Sequence, residues 1–182
     1  MAVTLRPLDL TDIDDFMVWA SDEKAARSCS WEPYTDKSDA LKFIKDKVLP
    51  HPWYRAICVD GRPVGAISVT ANSAARDRCG GELGYVLGSN FWGKGIATAA
   101  VKLVAERIFE ERPELERVEA LVAVENLASQ RVVEKAGFHR EGVLRKYGVL
   151  KGKTRDFVMF SLLSTDLQSK IIDELYCVKI SE

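Results

Sequence analysis

A glycine-containing turn between an apolar strand and a helix gives the clearest chemical signal in this 182-residue sequence. The turn contains Gly88, Gly93 and Gly95. A turn of this kind exposes unpaired backbone N–H groups at the positive end of a helix dipole, where they hold a phosphate without charged side chains. The segment therefore predicts a site for a phosphate-bearing cofactor.

Two common phosphate-binding patterns are only partly matched by this turn. Gly88 to Lys94 has the spacing of a P-loop, but Gly95 follows where Ser or Thr must ligate magnesium. A nucleotide hydrolase is therefore not indicated, because the hydroxyl ligand for its magnesium ion is missing. A dinucleotide-binding turn also begins at Gly93 and Gly95, but its third glycine position holds Thr98. That second interpretation is left with weak support.

Composition indicates one globular domain. With 182 residues, 47% of them hydrophobic, the chain can bury one sizeable core but not two. Its formal net charge of −1 includes no long basic block, which argues against nucleic acid as a partner. The sequence shows neither an apolar run of membrane-spanning length nor a secretory signal, and we expect a cytoplasmic protein.

The cysteines and histidines show no metal-binding spacing. The chain has four widely separated cysteines, without a C-x-x-C pair or a neighbouring histidine ligand: Cys29, Cys58, Cys79 and Cys177. We therefore expect reduced thiols, no disulfide framework and no metal.

The elements that must position the glycine turn follow from hydrophobic periodicity and turn residues. The predicted order is a strand, two helices, three strands, a helix, a strand, a helix and two strands. This order predicts an α/β (α+β) fold with a mixed, mostly antiparallel sheet and helices on both faces. The predicted strands span residues 3–7, 53–59, 63–70, 83–87, 118–124, 138–144 and 157–163, and the helices 11–21, 38–49, 94–111 and 126–135.

Local signals predict where several of these elements begin. Thr11 resembles the first residue of a capping box, and Ser38 resembles an N-cap. Asp60-Gly61 predicts a tight hairpin, and Asn126 predicts the start of the last helix. A polar turn is expected over residues 75–81.

Several segments together, in the same order, resemble the GNAT acetyltransferase superfamily and its RimJ/RimL-like branch. The resemblance covers roughly residues 3–165 and implies a GNAT-like acyl-CoA fold in residues 1–165, with 166–182 as an extension of unknown role. The matching segments are 5–8, 81–87, 92–98, 126–129, 134–138 and 141–142.

By this resemblance the cofactor is acetyl-CoA, and it acts as a cosubstrate. The superfamily's pyrophosphate-loop signature falls on Trp92, Gly95 and Ala97, with Trp92 in place of a polar residue. The backbone amides that hold the phosphate are unaffected by that exchange. The cofactor-binding residues implied by the resemblance are Tyr85, Val86 and Leu87 along the pantetheine arm, Trp92, Gly93, Lys94, Gly95, Ile96, Ala97 and Thr98 in the loop, and Asn126 and Ser129.

The resemblance also implies roles in catalysis. Glu82 lies on the strand that enters the loop, where a glutamate in this superfamily often removes a proton from the attacking amine, directly or through water. A backbone N–H near Leu87 meets the developing oxyanion. Ser129 matches the serine that protonates the departing thiolate in this branch, because Val133 stands where other members have a tyrosine.

The acceptor implied by the resemblance is an amine, either a protein N-terminal α-amino group or a small amine such as a polyamine. An acidic groove favours polyamines, whereas an open, shallow one suits a peptide terminus. Acceptor loops are expected at 31–34 and 147–154. A non-catalytic acyl-CoA sensor remains the alternative, and the protein is expected to be a monomer or a homodimer.

Overall fold

The computed structural model describes residues 2–72 and 79–166. Within these residues seven strands form one sheet, with helices packed on it. The strands are β1 (Val3–Arg6), β2 (Tyr54–Val59), β3 (Arg62–Ala71), β4 (Gly80–Leu87), β5 (Arg117–Ala123), β6 (His139–Leu150) and β7 (Lys153–Leu163). The helices are α1 (Ile13–Ala20), α2 (Glu23–Ala26), α3 (Lys37–Phe43), α4 (Ile96–Glu111) and α5 (Leu127–Lys135), with short helical turns at Leu10–Asp12, Ile44–Val48 and Ser89–Phe91.

The sheet is mixed but mostly antiparallel, as the sequence predicts. Its strand order is β1-β2-β3-β4-β5-β7-β6, and β4 with β5 is the one parallel pair in the described sheet. That pairing runs from Gly80 opposite Arg117 to Glu82 opposite Glu119. Beyond Glu82 the two strands separate, and the rest of β4 faces a gap.

Each face of the sheet has its own apolar cluster, which confirms the prediction of helices on both sides. On one face, α4 buries Val101, Val104 and Ile108, spaced as one stripe of a helix. On the other face, α1 buries Phe16 and Trp19 against β2 and β3. The gap between β4 and β5 therefore lies in a sheet whose two faces are both packed with helices.

The predicted caps of the first two helices are wrong. Asp9, not Thr11, forms the capping box: its Oδ1 accepts from the Thr11 N–H at 2.9 Å, and Asp12 reciprocates. Asp36, not Ser38, caps α3 by accepting from the Ser38 N–H. In both places the helical turn begins two residues earlier than predicted, and an aspartate there accepts from the N–H of the residue predicted as the cap; its charge also suits the helix dipole.

One predicted hairpin is confirmed, and a second replaces a predicted loop. Asp60 and Gly61 connect β2 to β3 and adopt φ angles of 48° and 86°, the positive values that a tight two-residue hairpin turn requires. The expected acceptor loop at 147–154 is instead the end of the β6–β7 hairpin. Lys151 and Gly152 supply its two positive φ angles, 51° and 70°, and a lysine at the first turn position is a weak sequence signal for such a turn.

Some predictions fall outside the described residues. These are most of the polar turn at 75–81, Cys177, and the C-terminal extension apart from Asp166. Across 2–72 and 79–166, no helix combines the length and apolarity needed to cross a membrane.

Candidate active site

A groove of about 500 Å³ lies where β4, the glycine turn and the first turns of α4 and α5 meet. It contains every residue predicted to bind the cofactor except Lys94, whose Nζ lies 5.5 Å from the Phe91 ring centroid. We call it the cofactor groove. Its predicted lining residues are Tyr85, Val86, Leu87, Trp92, Gly93, Gly95, Ile96, Ala97, Thr98, Asn126 and Ser129.

The backbone of the turn has the conformation that an anion site requires. Gly93 and Gly95 have φ angles of 72° and 77°, and Gly95 occupies the N-cap of α4, where it offers no side-chain acceptor. In the described structure no backbone acceptor is recorded for the N–H groups from Gly93 to Thr98, whereas Ala99 donates to the Gly95 carbonyl. These amides are therefore free to bind phosphate oxygens.

The edge of β4 that faces the gap offers backbone groups for a second strand-like partner. The Gly88 N–H donates to the Val64 carbonyl on the β3 side at 3.0 Å. Because successive residues of a strand direct their polar groups to opposite edges, the Leu87 and Tyr85 groups face the gap. The Leu87 carbonyl already accepts from Trp92 Nε1 at 2.8 Å, which leaves the Leu87 N–H available.

Asp22 is a structural contact of the turn that the sequence analysis missed. Its Oδ1 accepts from the Lys24 N–H and caps α2, while its Oδ2 accepts from the Ser89 N–H at 2.7 Å. Burial opposes ionisation, but the hydrogen bonds outweigh it and lower the pKa of Asp22. One carboxylate thus ties α2 to the glycine turn.

Asn126, Ser129 and Tyr85 meet at the other wall of the groove. Asn126 Oδ1 accepts from the Ser129 N–H at 3.1 Å, which confirms the predicted cap of α5. The Tyr85 hydroxyl donates to the Ser129 carbonyl at 3.3 Å, and burial raises the pKa of Tyr85 to about 12. No partner of Ser129 Oγ is recorded among the described residues, so this hydroxyl is available to a ligand.

Glu82 lies at the apex of the gap and does not line the cofactor groove. It retains solvent access and is the last β4 residue paired with β5. Partial burial of its carboxyl, and then repulsion from Glu119 at the same register, raise its pKa. A carboxylate of raised pKa is a stronger proton acceptor than an ordinary one.

Glu141, which belongs to one of the matching segments, has a structural partner. Both of its oxygens accept from the Arg117 guanidinium, at 2.6 and 3.0 Å, and Ser161 Oγ donates to it at 2.5 Å. The Arg117 and Ser161 hydrogen bonds lower the pKa of Glu141 to about 2. Arg117 Nε also donates to Glu119, so these groups form one network beside Glu82.

The two segments predicted as acceptor loops lie in contact. Tyr34 packs its ring near Phe16 and Trp31, as in a satellite apolar cluster. At the hairpin tip, Lys151 Nζ donates to Glu32 Oε1 at 2.7 Å and to the Trp31 carbonyl. This bridge spans about 120 residues of sequence, and no short-range pattern in the sequence predicts it. Within the described residues, no group of three or more His, Cys, Asp or Glu side chains is arranged to hold a metal.

A family model and a relative of similar length indicate the same family for this chain. Residues 2–139 match a family model described as an acetyltransferase (GNAT) domain. The chain is 33% identical over 168 residues to the uncharacterized N-acetyltransferase p20 of Bacillus licheniformis, covering 90% of this chain and 94% of that protein.

Solved structures share the fold. The microcin C7 self-immunity acetyltransferase MccE, in complex with acetyl-CoA and AMP, superposes with a TM-score of 0.75 at 25% identity, covering 88% of this chain and 92% of that one. RimL, a ribosomal L7/L12 α-N-protein acetyltransferase in complex with coenzyme A, superposes with a TM-score of 0.76 at 21% identity, covering 90% and 94%.

Proposed function

Because the chain belongs to the GNAT acetyltransferase family and is an acetyl-CoA-dependent N-acetyltransferase, we propose that its acceptor is the α-amino group of a peptide or protein N-terminus. The observation that supports this most is the charge at the apex of the gap between β4 and β5. Glu119 and Glu141 both accept from Arg117 there, so among the described residues Glu82 is the one carboxylate at the apex without an ion pair, which suits an acceptor with a single ammonium group. We assign the catalytic domain to residues 1–165 and place it in the RimJ/RimL-like branch.

The residues of the groove suit acetyl-CoA. The free amides from Gly93 to Thr98 bind its pyrophosphate, and the gap-facing groups of Tyr85 and Leu87 pair with its pantetheine arm. Asn126 and Ser129 form the opposite wall. The cosubstrate supplies the activated acetyl group, and the chain supplies position and proton transfer.

Three groups of this chain act on the transfer. Glu82 accepts a proton from the acceptor ammonium, directly or through a water molecule, so that the neutral amine can attack the thioester carbonyl. A gap-facing backbone N–H of β4 near Leu87 donates a hydrogen bond to the carbonyl oxygen as negative charge develops on it. Ser129 Oγ donates a proton or a hydrogen bond to the departing thiolate.

The acidity of the amine favours an N-terminus over an alkylamine. An α-amino group has an ordinary pKa near 8, whereas a lysine-type amine has one near 10.4. At pH 7 roughly one α-amino group in ten is therefore neutral, against fewer than about one alkylamine in a thousand. A single carboxylate such as Glu82 suffices for the first acceptor.

The test is acetylation of defined acceptors by the purified protein. We expect mass spectrometry to locate one acetyl group on the N-terminal nitrogen of short peptides, with matching release of coenzyme A thiol. The same peptides with a blocked N-terminus and one lysine are the control, and they should remain unmodified. Preferential acetylation of spermidine or of the lysine contradicts the proposed acceptor.

The sensor alternative makes a different prediction for the same material. A non-catalytic acyl-CoA-binding module binds acetyl-CoA in calorimetry but releases no thiol with peptides, amino acids or polyamines. Binding together with turnover excludes that alternative.

A further inference from the structure

We infer that the peptide acceptor carries a carboxylate at its fourth to sixth residue, bound in a basic pocket at the far end of a sheet face that α1 and α3 do not cover. This inference rests on the proposed function and adds the charge and spacing of the substrate. It follows from three features of the face: an apolar floor, an acidic end and a basic end.

The floor is formed by half-buried apolar residues of β5 and β7. Leu121, Phe157 and Met159 share the sheet face of Glu82, because Leu121 pairs with Met159 and the register continues through Glu119 to Glu82. The apolar cluster under α1 and α3 includes no residue of β5, β6 or β7. Each of the three side chains keeps a part of its surface accessible, and a row of accessible apolar side chains along strands suits an extended chain. We call it the acceptor face.

The apex of the gap forms the acidic end of the acceptor face. Among the described residues, Glu82, Glu119 and Glu141 lie there with one cation, Arg117, which bonds to the last two. The three carboxylates and one guanidinium leave a formal charge of −2. This end attracts an ammonium group and places it beside Glu82.

The other end is a cavity of about 300 Å³ with the opposite charge. Arg27, Lys151 and Arg155 line it, together with the carboxylate of Glu125. Three cations and one carboxylate leave a formal charge of +2, and +1 remains when Glu32, the partner of Lys151, is counted. We call this cavity the basic pocket.

Hydrogen-bonding capacity in the basic pocket is unused. Arg155 Nη1 pairs with Glu125 at 2.7 Å, and no partner of its Nη2 is recorded in the described structure. No ion pair of Arg27 is recorded there, and this residue is exposed. Guanidinium groups with free donors bind carboxylates in a two-pronged geometry, so the pocket fits a carboxylate better than a second amine.

The basic pocket adjoins the cofactor groove at the end of the acceptor face opposite the apex. The two cavities share Ser28 and Asn126 as lining residues. Along the extended strand β7, Arg155 lies six residues from Ser161, which pairs with Glu119 and bonds to Glu141 at the apex. At about 3.3 Å per extended residue, the two ends are roughly 15–20 Å apart. An extended peptide covers that distance with four to six residues.

The test is a set of neutral seven-residue peptides with free N-termini and amidated C-termini, each carrying one glutamate at positions 2 to 7. We expect kcat/KM to peak with glutamate at positions 4 to 6, about tenfold above the uncharged peptide, mainly through KM. Lysine at those positions should lower kcat/KM. A profile independent of position, or an optimum for free amino acids, overturns the inference while leaving N-terminal acetylation intact; no acetylation of any peptide overturns the proposed function itself.

Charge reversal identifies the pocket. In Arg27→Glu the advantage of the glutamate peptides should fall from about tenfold to none, and Arg27→Lys should restore most of it. Lys24→Glu is the matched control, because Lys24 is exposed on α2 one turn away and does not line the pocket. Acetyl-CoA binding by each variant reports that it is folded. Equal loss in Lys24→Glu and Arg27→Glu contradicts a specific pocket.

Discussion

The cofactor groove and the acceptor face are neighbouring sites built in different ways. The groove uses backbone groups from one continuous stretch, Tyr85 to Thr98, together with the start of α5. The acceptor face ends in side chains from α2, the turn after β5 and the β6–β7 hairpin, which are distant in sequence. Backbone recognition suits the constant cosubstrate, whereas side chains on separate elements set the charge pattern of a particular acceptor.

The first prediction concerns the backbone amides of the cofactor groove and has the largest expected effect. Gly95→Val should weaken acetyl-CoA binding by about 100-fold or more, because a β-branched residue is strained at a φ of 77° and narrows the approach to the amides. Calorimetric titration of acetyl-CoA measures this loss.

Gly61→Val is its matched control. Gly61 has a φ of 86°, and a Cβ there, like one at Gly95, meets no atom within 4 Å. Both variants therefore incur a similar backbone strain, but Gly61 lies in a hairpin outside both cavities. Equal loss of acetyl-CoA affinity in the two variants would contradict a special role for the turn at Gly95.

The second prediction concerns Glu82 at the apex of the gap between β4 and β5. Glu82→Gln should lower kcat/KM by about 100-fold near neutral pH while acetyl-CoA affinity is retained, because the proton acceptor is lost. In the unaltered protein, activity should rise with pH through the raised pKa of Glu82, since only the carboxylate can accept a proton. In the variant that acidic limb should disappear, and activity should recover towards the pH at which the amine loses its own proton.

Glu119→Gln sharpens the same measurement. Removing the neighbouring charge should lower the pKa of Glu82, so the acidic limb of the pH–rate profile should move to lower pH. The carbonyl oxygen of the substituted amide is still able to accept from Arg117 Nε, so the network is retained. An unmoved acidic limb would show that another group titrates there.

The contrast between the two sites also explains what the sequence could predict. Gly93, Gly95 and Asn126 have local conformational roles that a short motif specifies, and the cap at Asn126 is confirmed. The order of elements along the chain, apart from the short helix α2, and the Asp60-Gly61 hairpin also follow from local patterns.

The acceptor side was not predictable in the same way. Arg27 and Arg155 are ordinary surface residues in sequence, and only the tertiary fold brings the end of α2 and the start of β7 to one cavity. Lys151-Gly152 makes a turn where the sequence indicated a loop, because lysine is not a typical residue at positive φ. Long-range contacts of this kind leave no short-range pattern.

The third prediction concerns Ser129 in the wall of the cofactor groove. Ser129→Ala should lower kcat about tenfold with little change in acetyl-CoA affinity, because a thiolate with an ordinary pKa near 8.5 leaves readily and needs modest help. Ser129→Thr keeps a hydroxyl and should regain most of the rate. If Ser129→Ala leaves single-turnover acetyl transfer unchanged, the proton donor is another group.

The smallest expected effect is at Trp92, where two consequences of one change oppose each other. Trp92→Phe keeps an aromatic ring but removes the hydrogen bond from Nε1 to the Leu87 carbonyl, which holds the turn against β4. Loss of this contact loosens the amides, whereas the released carbonyl becomes available to the pantetheine arm. We expect the first effect to prevail, because several amides depend on the position of the turn, and acetyl-CoA affinity should fall by about threefold to tenfold. Unchanged or tighter binding in calorimetry would show that the carbonyl matters more than the turn, and that side chains as well as backbone shape the cofactor half of the site.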